Sequence, residues 1–237
     1  MAAPAPAGGV LLVIATPLGN LGDLGERARK ALAEADLVAC EDTRVTGNLL
    51  RLLGIPPRPL VAYHDHNEAA AAEGLADQVA AGKVVALVTD AGTPGLSDPG
   101  FRATRACARR GLRVSPIPGP CSPIALLSAS GLPTNAFRFV GFLAPKSAAR
   151  RRFLETEALA AGETLVLLES CHRIDALLGE MLEILGPARV ACVGRELTKL
   201  HESVRTAPLG ELVPAVRAGS LKGEFVVALA PAGFALA

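Results

Sequence analysis

The segment DAGTPGLSDPG, residues 90–100, sets a carboxylate beside three glycines and two prolines. That composition makes a fixed turn with exposed backbone N–H groups, and Asp90 can accept from a ligand hydroxyl or amine. Thr16, Pro17 and Leu18 open a second such turn, TPLGN. Neither spacing is that of a Walker loop or of G-x-G-x-x-G, which argues against nucleotide phosphate. Glu41, Asp42, Thr43 and Arg44 directly follow an apolar run. Asp42 or Thr43 caps the helix beginning near Arg44, but two adjacent carboxylates before an arginine exceed what a cap requires. YHDHNE, residues 63–68, holds the single tyrosine and two of the four histidines. His64 and His66 have metal-ligand spacing, yet no third ligand is evident, so no metal is expected and the segment reads as a polar substrate-facing loop or plain surface. ESCHR, residues 169–173, puts Cys171 beside His172, and adjacent residues rarely have the geometry of a nucleophile–base pair. GRELTKLHE, residues 194–202, adds Arg195, Glu196 and Lys199.

The elements that must position these groups alternate. Short β-branched runs at residues 10–15, 36–40, 84–89, 112–117, 137–142, 164–169, 190–194 and 225–230 are separated by helical patterns at 26–35, 68–81, 101–110, 124–130, 148–161 and 174–185. Such alternation, with runs apolar enough to be buried on both faces, predicts an α/β fold of two mainly parallel sandwich domains. The proline cluster PIPGPCSP at residues 116–123 marks a hinge. The expected domains are 10–118 and 119–237, with residues 1–9, MAAPAPAGG, as a loose tail. The polar loops follow strands, where open α/β sheets bind ligands. Asp98 is expected to cap the next helix, with Pro99 at its first position.

Composition excludes several classes. No run approaches 18 apolar residues, and the first residues lack the features of a secretory signal. Five scattered cysteines without CxxC pairing read as reduced cytosolic thiols, hence a cytoplasmic protein. Arginine outnumbers lysine 19 to 5 and alanine reaches 43, a compositional bias that cautions against reading any single arginine as selected. The formal net charge is only +1, but its distribution is uneven. Residues 99–154 carry ten basic residues and no acidic one, between flanks of −5 and −4. Within that stretch Arg138, Lys146, Arg150, Arg151 and Arg152 lie on a strand running into a basic loop and helix start. Basic charge at a helix N-terminus opposes the macrodipole, so the three arginines suggest an external anion, and phosphate contact with RNA is the expectation. The competing reading is a solvated basic face. Phe137 and Phe139 are expected in the core, and the arginines of 102–113 on solvated surface.

In order, TPLGNLGD, EDTR, YHDHNE, DAGTPGLSDPG, PGPCS, SGLPT, GFLAPK, ESCHR, GRELTKLHE and GEF resemble the motifs of the bacterial 16S ribosomal RNA cytidine 2′-O-methyltransferases. That family is a branch of the tetrapyrrole-methylase superfamily of S-adenosylmethionine-dependent enzymes. The resemblance spans roughly residues 10–230, and the run of motifs is specific to the branch, whereas DAGTP alone marks the superfamily. It implies two α/β domains with S-adenosylmethionine in a cleft between them, a homodimer, and methylation of a decoding-region cytidine ribose in small-subunit ribosomal RNA or the assembled subunit. By position, Thr16, Pro17, Leu18, Asp90, Ala91, Gly92, Thr93 and Ser122 match the superfamily's cofactor loops, and Arg195 and Glu196 match a second-domain segment near the same cleft. Cys121 and Cys171 depart from the pattern, and the chain ends without the helical extension many members carry, which bears on auxiliary RNA contacts more than on the chemistry.

A ribose 2′-OH is barely ionised at neutral pH, so a base, or a cation that stabilises the developing alkoxide, has to assist. Lys146, Glu41, Asp42, Arg44, His64 and Lys199, with Glu196, are the residues expected around the ribose, Lys146 or a carboxylate handling the proton. For each, the alternative is an inter-domain salt bridge. Two other functions compete: C-methylation of a tetrapyrrole, which gives no reason for the acid-free basic stretch, and a non-catalytic ribosome-associated RNA-binding protein.

Overall fold

The computed structural model describes residues 8–236, so the expected tail lies outside the described residues apart from Gly8 and Gly9. The chain divides into two units, Met1–Cys121 and Ser122–Ala237. In the first, strands β1 (Val10–Ile14), β2 (Leu37–Cys40), β3 (Leu60–Ala62), β4 (Val84–Val88) and β5 (Arg113–Ile117) alternate with helices α1 (Glu26–Glu34), α2 (Thr43–Leu52), α3 (Glu68–Ala80) and α4 (Phe101–Arg109). The sheet order is β3-β2-β4-β1-β5 and every pairing is parallel. Alternate residues of the strands feed two cores. Ile14, Val38 and Ala86 pack with Leu32 of α1 and Leu50 of α2, while Leu11, Ala39, Val85 and Leu87 pack with Leu75 of α3 and Ala103 of α4. Each fully buried leucine contributes about 1.5–3 kcal/mol, so two covered faces hold this sheet firmly. Strand β3 was not expected: its three residues sit at the sheet edge behind Pro56, Pro57 and Pro59, which read as loop.

The connections from β1 and β4, which are neighbours, run in opposite directions along the sheet. The first goes to β2 and the second to β5, with their helices on opposite faces. A crevice opens beyond the carboxyl ends of such strands. Residues 16–18 and 90–93 are the loops that leave those two ends.

The second unit holds α5 (Ser122–Ser130), β6 (Phe137–Phe142), α6 (Ser147–Phe153, continued by a π turn over Leu154–Ala158), β7 (Thr164–Ser170), α7 (Ile174–Leu185), β8 (Val190–Arg195), β9 (Ser203–Pro208), α8 (Leu209–Arg217) and β10 (Glu224–Leu229). Its sheet, β6-β7-β10-β8-β9, packs α6, α7 and α8 against one face and α5 against the other. The α/β sandwich class is as expected, but here the parallel expectation gives way: only β6 and β7 pair parallel. The β7–α7–β8 crossover is of the usual kind, but β10 inserts antiparallel between its strands, and β9 turns back on β8 through a short loop. A run buried on both faces looks the same in either direction. β9 and α8 carry no clear sequence signal, because SVRTAP is exposed over its first half and α8 contains Pro214. Phe137 is not core: β6 is an edge strand and Phe137 is 41% exposed. Among the described residues no helix is long and apolar enough to cross a membrane.

Candidate functional site

The first unit gathers the carboxyl-end loops of β1, β2, β3 and β4. Thr16 and Gly92 exchange backbone hydrogen bonds, N to O, at 2.8 and 3.1 Å, and the Thr16 hydroxyl donates to the Thr89 carbonyl at 3.0 Å. The β1 and β4 loops are thereby locked to each other. Gly92 has φ +85°, and a Cβ there would meet Leu18 Cδ2 at 3.3 Å, so the turn needs glycine for its backbone as well as its space. Thr93 donates from Oγ1 to the Pro120 carbonyl at 2.9 Å, tying in the β5 loop. Thr16 and Pro17 are buried, Leu18 half-buried and Asp90 exposed.

Beside this turn the carboxylates converge. The Asp42 N–H donates to Asp90 Oδ1 at 3.1 Å, and the Asp90 N–H to Glu41 Oε2 at 3.4 Å. Burial pushes the Glu41 carboxyl above its ordinary value, and the charges of Asp90 and Asp65 push the same way, against the Asp90 N–H and His64. Asp90, though exposed as a residue, is also raised, first by partial desolvation of its carboxyl and then by the charge of Asp42, against the Asp42 N–H. Asp42 goes the other way, to about 2, because Arg44 hydrogen-bonds it through side chain and backbone. Asp42 is the helix cap, accepting from the Arg44 N–H at 2.8 Å, and it also pairs with the Arg44 guanidinium at 2.6 Å. A carboxylate so held is a poor proton acceptor; Glu41 is the better one. His64 is half-buried, with Nδ1 buried and unpartnered and its ring edge-on to His66 at 5.9 Å. No group of three or more His, Cys, Asp or Glu with metal-binding geometry occurs among the described residues.

In the second unit Arg195, Glu196 and Lys199 form one knot. Arg195 donates to the carbonyls of Lys222 (2.7 Å) and His201 (3.1 Å), and Lys199 Nζ lies 3.0 Å from Glu196 and 2.9 Å from Glu224. Gly223, at φ +102°, permits the approach, since a Cβ would come within 2.6 Å of Glu196 Cγ. Burial alone would lower the Lys199 pKa, but hydrogen bonds to Glu224 and Glu196 outweigh it and raise it. Lys199 therefore stays a cation. Ser122 is the first residue of α5 and half-buried. Lys146 precedes α6, exposed, and makes no ion pair among the described residues.

The basic stretch is largely neutralised in space by the acidic flanks. Arg138 pairs with Glu157 and Glu163 at 2.9 and 3.2 Å, and Arg151 with Glu183 at 2.7 Å. Arg102, Arg109 and Arg110 meet Glu68, Glu73 and Asp77. Arg150 corrects the expectation outright: it is 4% exposed and bound twice by Glu180 of α7, at 2.6 and 2.7 Å, so it cannot face RNA. The three arginines follow the first turn of the helical run that opens at Ser147 and continues through the π turn to Ala158, as expected, but Arg150 and Arg151 are met there by Glu180 and Glu183. The anion they called for is internal. Arg152 is exposed and has no ion pair among the described residues.

Residues 10–213 match the family described as Tetrapyrrole (Corrin/Porphyrin) Methylases. The chain belongs to that family. Among curated methylase relatives, it is 48% identical over 224 residues to "Ribosomal RNA small subunit methyltransferase I" of Mesorhizobium japonicum, covering 94% of this chain and 75% of that one. It is 44% identical over 220 residues to the protein of the same name from Vibrio cholerae, covering 92% and 76%. Among solved structures, it resembles uroporphyrin-III-C-methyltransferase from Thermus thermophilus, with TM-score 0.64, 23% identity and 94% of each chain covered. The same Thermus thermophilus enzyme complexed with S-adenosyl homocysteine gives TM-score 0.61 at 22% identity, over 93% of this chain and 97% of that one.

Several residues shape this methylase in ways that local sequence does not signal. Tyr63, fully buried, accepts from the Ala103 N–H at 2.9 Å, and Glu68 accepts from the Gly100 N–H at 3.2 Å. From the YHDHNE segment they meet two N–H groups at the start of α4; the cap position is Gly100, not Asp98, and Phe101, not Pro99, begins the helix. Arg189, buried, donates to the carbonyls of Ala158, Leu159 and Ala230 and closes the end of the π turn. A lone tyrosine and a glutamate five residues on carry no cap signature, because they cap a helix distant in sequence.

Proposed function

We propose that this chain transfers a methyl group from S-adenosylmethionine to the ribose 2′-OH of a cytidine in small-subunit ribosomal RNA, acting as a cytoplasmic homodimer. The observation that carries the reading is the 43–48% identity, over 83–94% of the chain, to proteins named for small-subunit ribosomal RNA methylation. The 2′-O position, the cytidine, the dimer and the compartment rest on the motif resemblance.

The first unit fits such a cofactor. Glu41, Asp42, Asp65 and Asp90 cluster beside a locked glycine turn, and burial and mutual repulsion raise Glu41 and Asp90. A ligand bearing a sulfonium, an ammonium and hydroxyls relieves that repulsion and offers donors to the carboxylates. Bound S-adenosylmethionine supplies an electrophilic methyl for in-line displacement. Thr16, Pro17, Leu18, Ala91, Gly92 and Thr93 would hold it by shape and backbone, and Asp90 by accepting from its hydroxyls or amine. The parts assigned to Ser122, Arg195 and Glu196 rest on the resemblance.

With little covalent work for the protein to do, catalysis is positioning, exclusion of water and charge stabilisation. Lys146, exposed and without an ion pair, is assigned to stabilise the developing alkoxide. Glu41 is the carboxylate fitted to take the proton, and His64 the group to orient it, whereas Asp42 and Arg44 neutralise each other. Lys199 contributes a fixed positive charge. Lys146 and Arg152 are the phosphate contacts retained, with Arg138 and Arg151 available only at the expense of their internal pairs. A tetrapyrrole substrate is the second reading; the 15–23% identities to such enzymes support the fold alone. Offering labelled S-adenosylmethionine with small ribosomal subunits, and separately with uroporphyrinogen, decides between them: label on an RNA ribose supports the proposal, and label on an RNA base, on the tetrapyrrole or on neither substrate overturns it.

A further inference from the structure

The loop from β6 to α6 ends at Lys146, and its course is fixed by two arginines. Arg150 Nη1 donates to the Pro145 carbonyl at 3.3 Å and Arg173 Nη1 to the Leu143 carbonyl at 3.2 Å. Each stands on a buried glutamate. Glu180 binds Arg150 twice and accepts from the Ser147 hydroxyl at 2.6 Å, which ties the residue after Lys146 to the same carboxylate. Glu169, whose side chain is fully buried, pairs with Arg173 at 2.8 Å and accepts from the Ser170 N–H at 2.8 Å. Leu143, 5% exposed, anchors the loop in the core. The Lys146 carbonyl receives the N–H groups of Ala149 and Arg150, both at 3.1 Å. The two arginines close on the Leu143 and Pro145 carbonyls and Glu180 on the Ser147 hydroxyl, and none of these contacts involves the Lys146 ammonium.

We propose that Arg150 and Arg173 form a bracket that sets where the Lys146 ammonium is presented to the substrate oxygen. They are positioning residues, and neither contacts the RNA. The inference rests on the role given to Lys146 above. It explains why two arginines take up isolated loop carbonyls. Burying a guanidinium is costly unless it is paired and hydrogen-bonded, and here pairing with glutamate is combined with a loop carbonyl at each position. It also explains why GFLAPK and ESCHR, far apart in sequence, belong to one arrangement: Arg173 is the last residue of ESCHR and Leu143 the third of GFLAPK.

The test uses Arg173→Lys, which keeps the charge, and Ser147→Ala, which loosens Glu180 without stranding Arg150, each in the wild-type and Lys146→Ala full-length chains. Amide exchange over residues 142–147 should quicken in both variants while the strands stay protected; unchanged exchange would overturn the bracket itself. In the wild-type background kcat should fall about 10–100-fold with the KM for S-adenosylmethionine unchanged. In the Lys146→Ala background the same substitutions should change kcat less than about twofold, because coupled residues are not additive. An equal loss in both backgrounds would overturn the link to Lys146, leaving a merely structural pair. If Lys146→Ala alone retains wild-type kcat, the role of Lys146 fails and the presentation claim with it, while the exchange result still judges the bracket.

Discussion

Removing Glu180 separates the folded arrangement from the one its sequence suggests. Glu180→Ala deletes two hydrogen bonds from Arg150, at 2.6 and 2.7 Å, and one from Ser147, at 2.6 Å, and leaves an arginine side chain only 5% exposed without its carboxylate partner. Burial alone would raise the Glu180 pKa, yet the Arg150 and Ser147 hydrogen bonds prevail and lower it, so the carboxylate is charged throughout the neutral range. Breaking a buried pair by removing one partner costs about 3–5 kcal/mol, because the remaining charge has no compensation. Against a total stability of about 5–15 kcal/mol that is a large share. At about 2–4 °C per kcal/mol for a chain of this size, the thermal midpoint should drop by roughly 6–20 °C. Thermal and urea unfolding followed by circular dichroism give the measurement. Glu183→Ala, one turn of α7 away and paired with the more exposed Arg151, is the control and should leave the midpoint unchanged. Equal midpoints for Glu180→Ala and the wild type would mean that Arg150 is solvated and free to meet an external anion.

Three further outcomes are expected. Glu41 and Asp90 are raised in the fold, so the stability they contribute is greatest below the ordinary carboxylate range and lessens as pH rises through their raised values. Binding a cationic ligand reverses this: calorimetry should find S-adenosylmethionine affinity falling as pH drops toward those raised values, and Glu41→Gln should flatten the profile; a profile steeper in the variant would contradict the assignment. Arg152→Ala should reduce the slope of log affinity for ribosomal RNA against log salt by about 0.7–0.9, whereas an unaltered slope removes Arg152 from the RNA face. Tyr63→Phe strands the buried Ala103 N–H and should cost about 1–3 kcal/mol in urea unfolding; no loss would mean that α4 is capped otherwise.

The strands and helices with two-sided or periodic apolar patterns were legible, as were the turns beside β1 and β4, because glycine, proline and carboxylate in one short segment point to a fixed backbone with a ligand. What the sequence hid depended on partners distant in the chain. Arg150 looked like a phosphate contact because residues 99–154 contain no acid, but Glu157, Glu163, Glu180 and Glu183 return from beyond the stretch to meet it. Tyr63 looked like part of a polar loop, and its hydroxyl caps a helix 38 residues later at Phe101. Strand direction was equally hidden: Phe225, Val226 and Val227 show buried faces whichever way β10 runs, and only the insertion between β7 and β8 makes it antiparallel.

The destination of the methyl group decides the proposed activity most directly. Small ribosomal subunits unmodified at the site are incubated with this chain and isotope-labelled S-adenosylmethionine, and the RNA is digested to nucleosides for mass spectrometry. The label is expected on a single 2′-O-methylcytidine of the decoding region, and lost with Lys146→Ala. Label on a base, on ribosomal protein or on no product would contradict it.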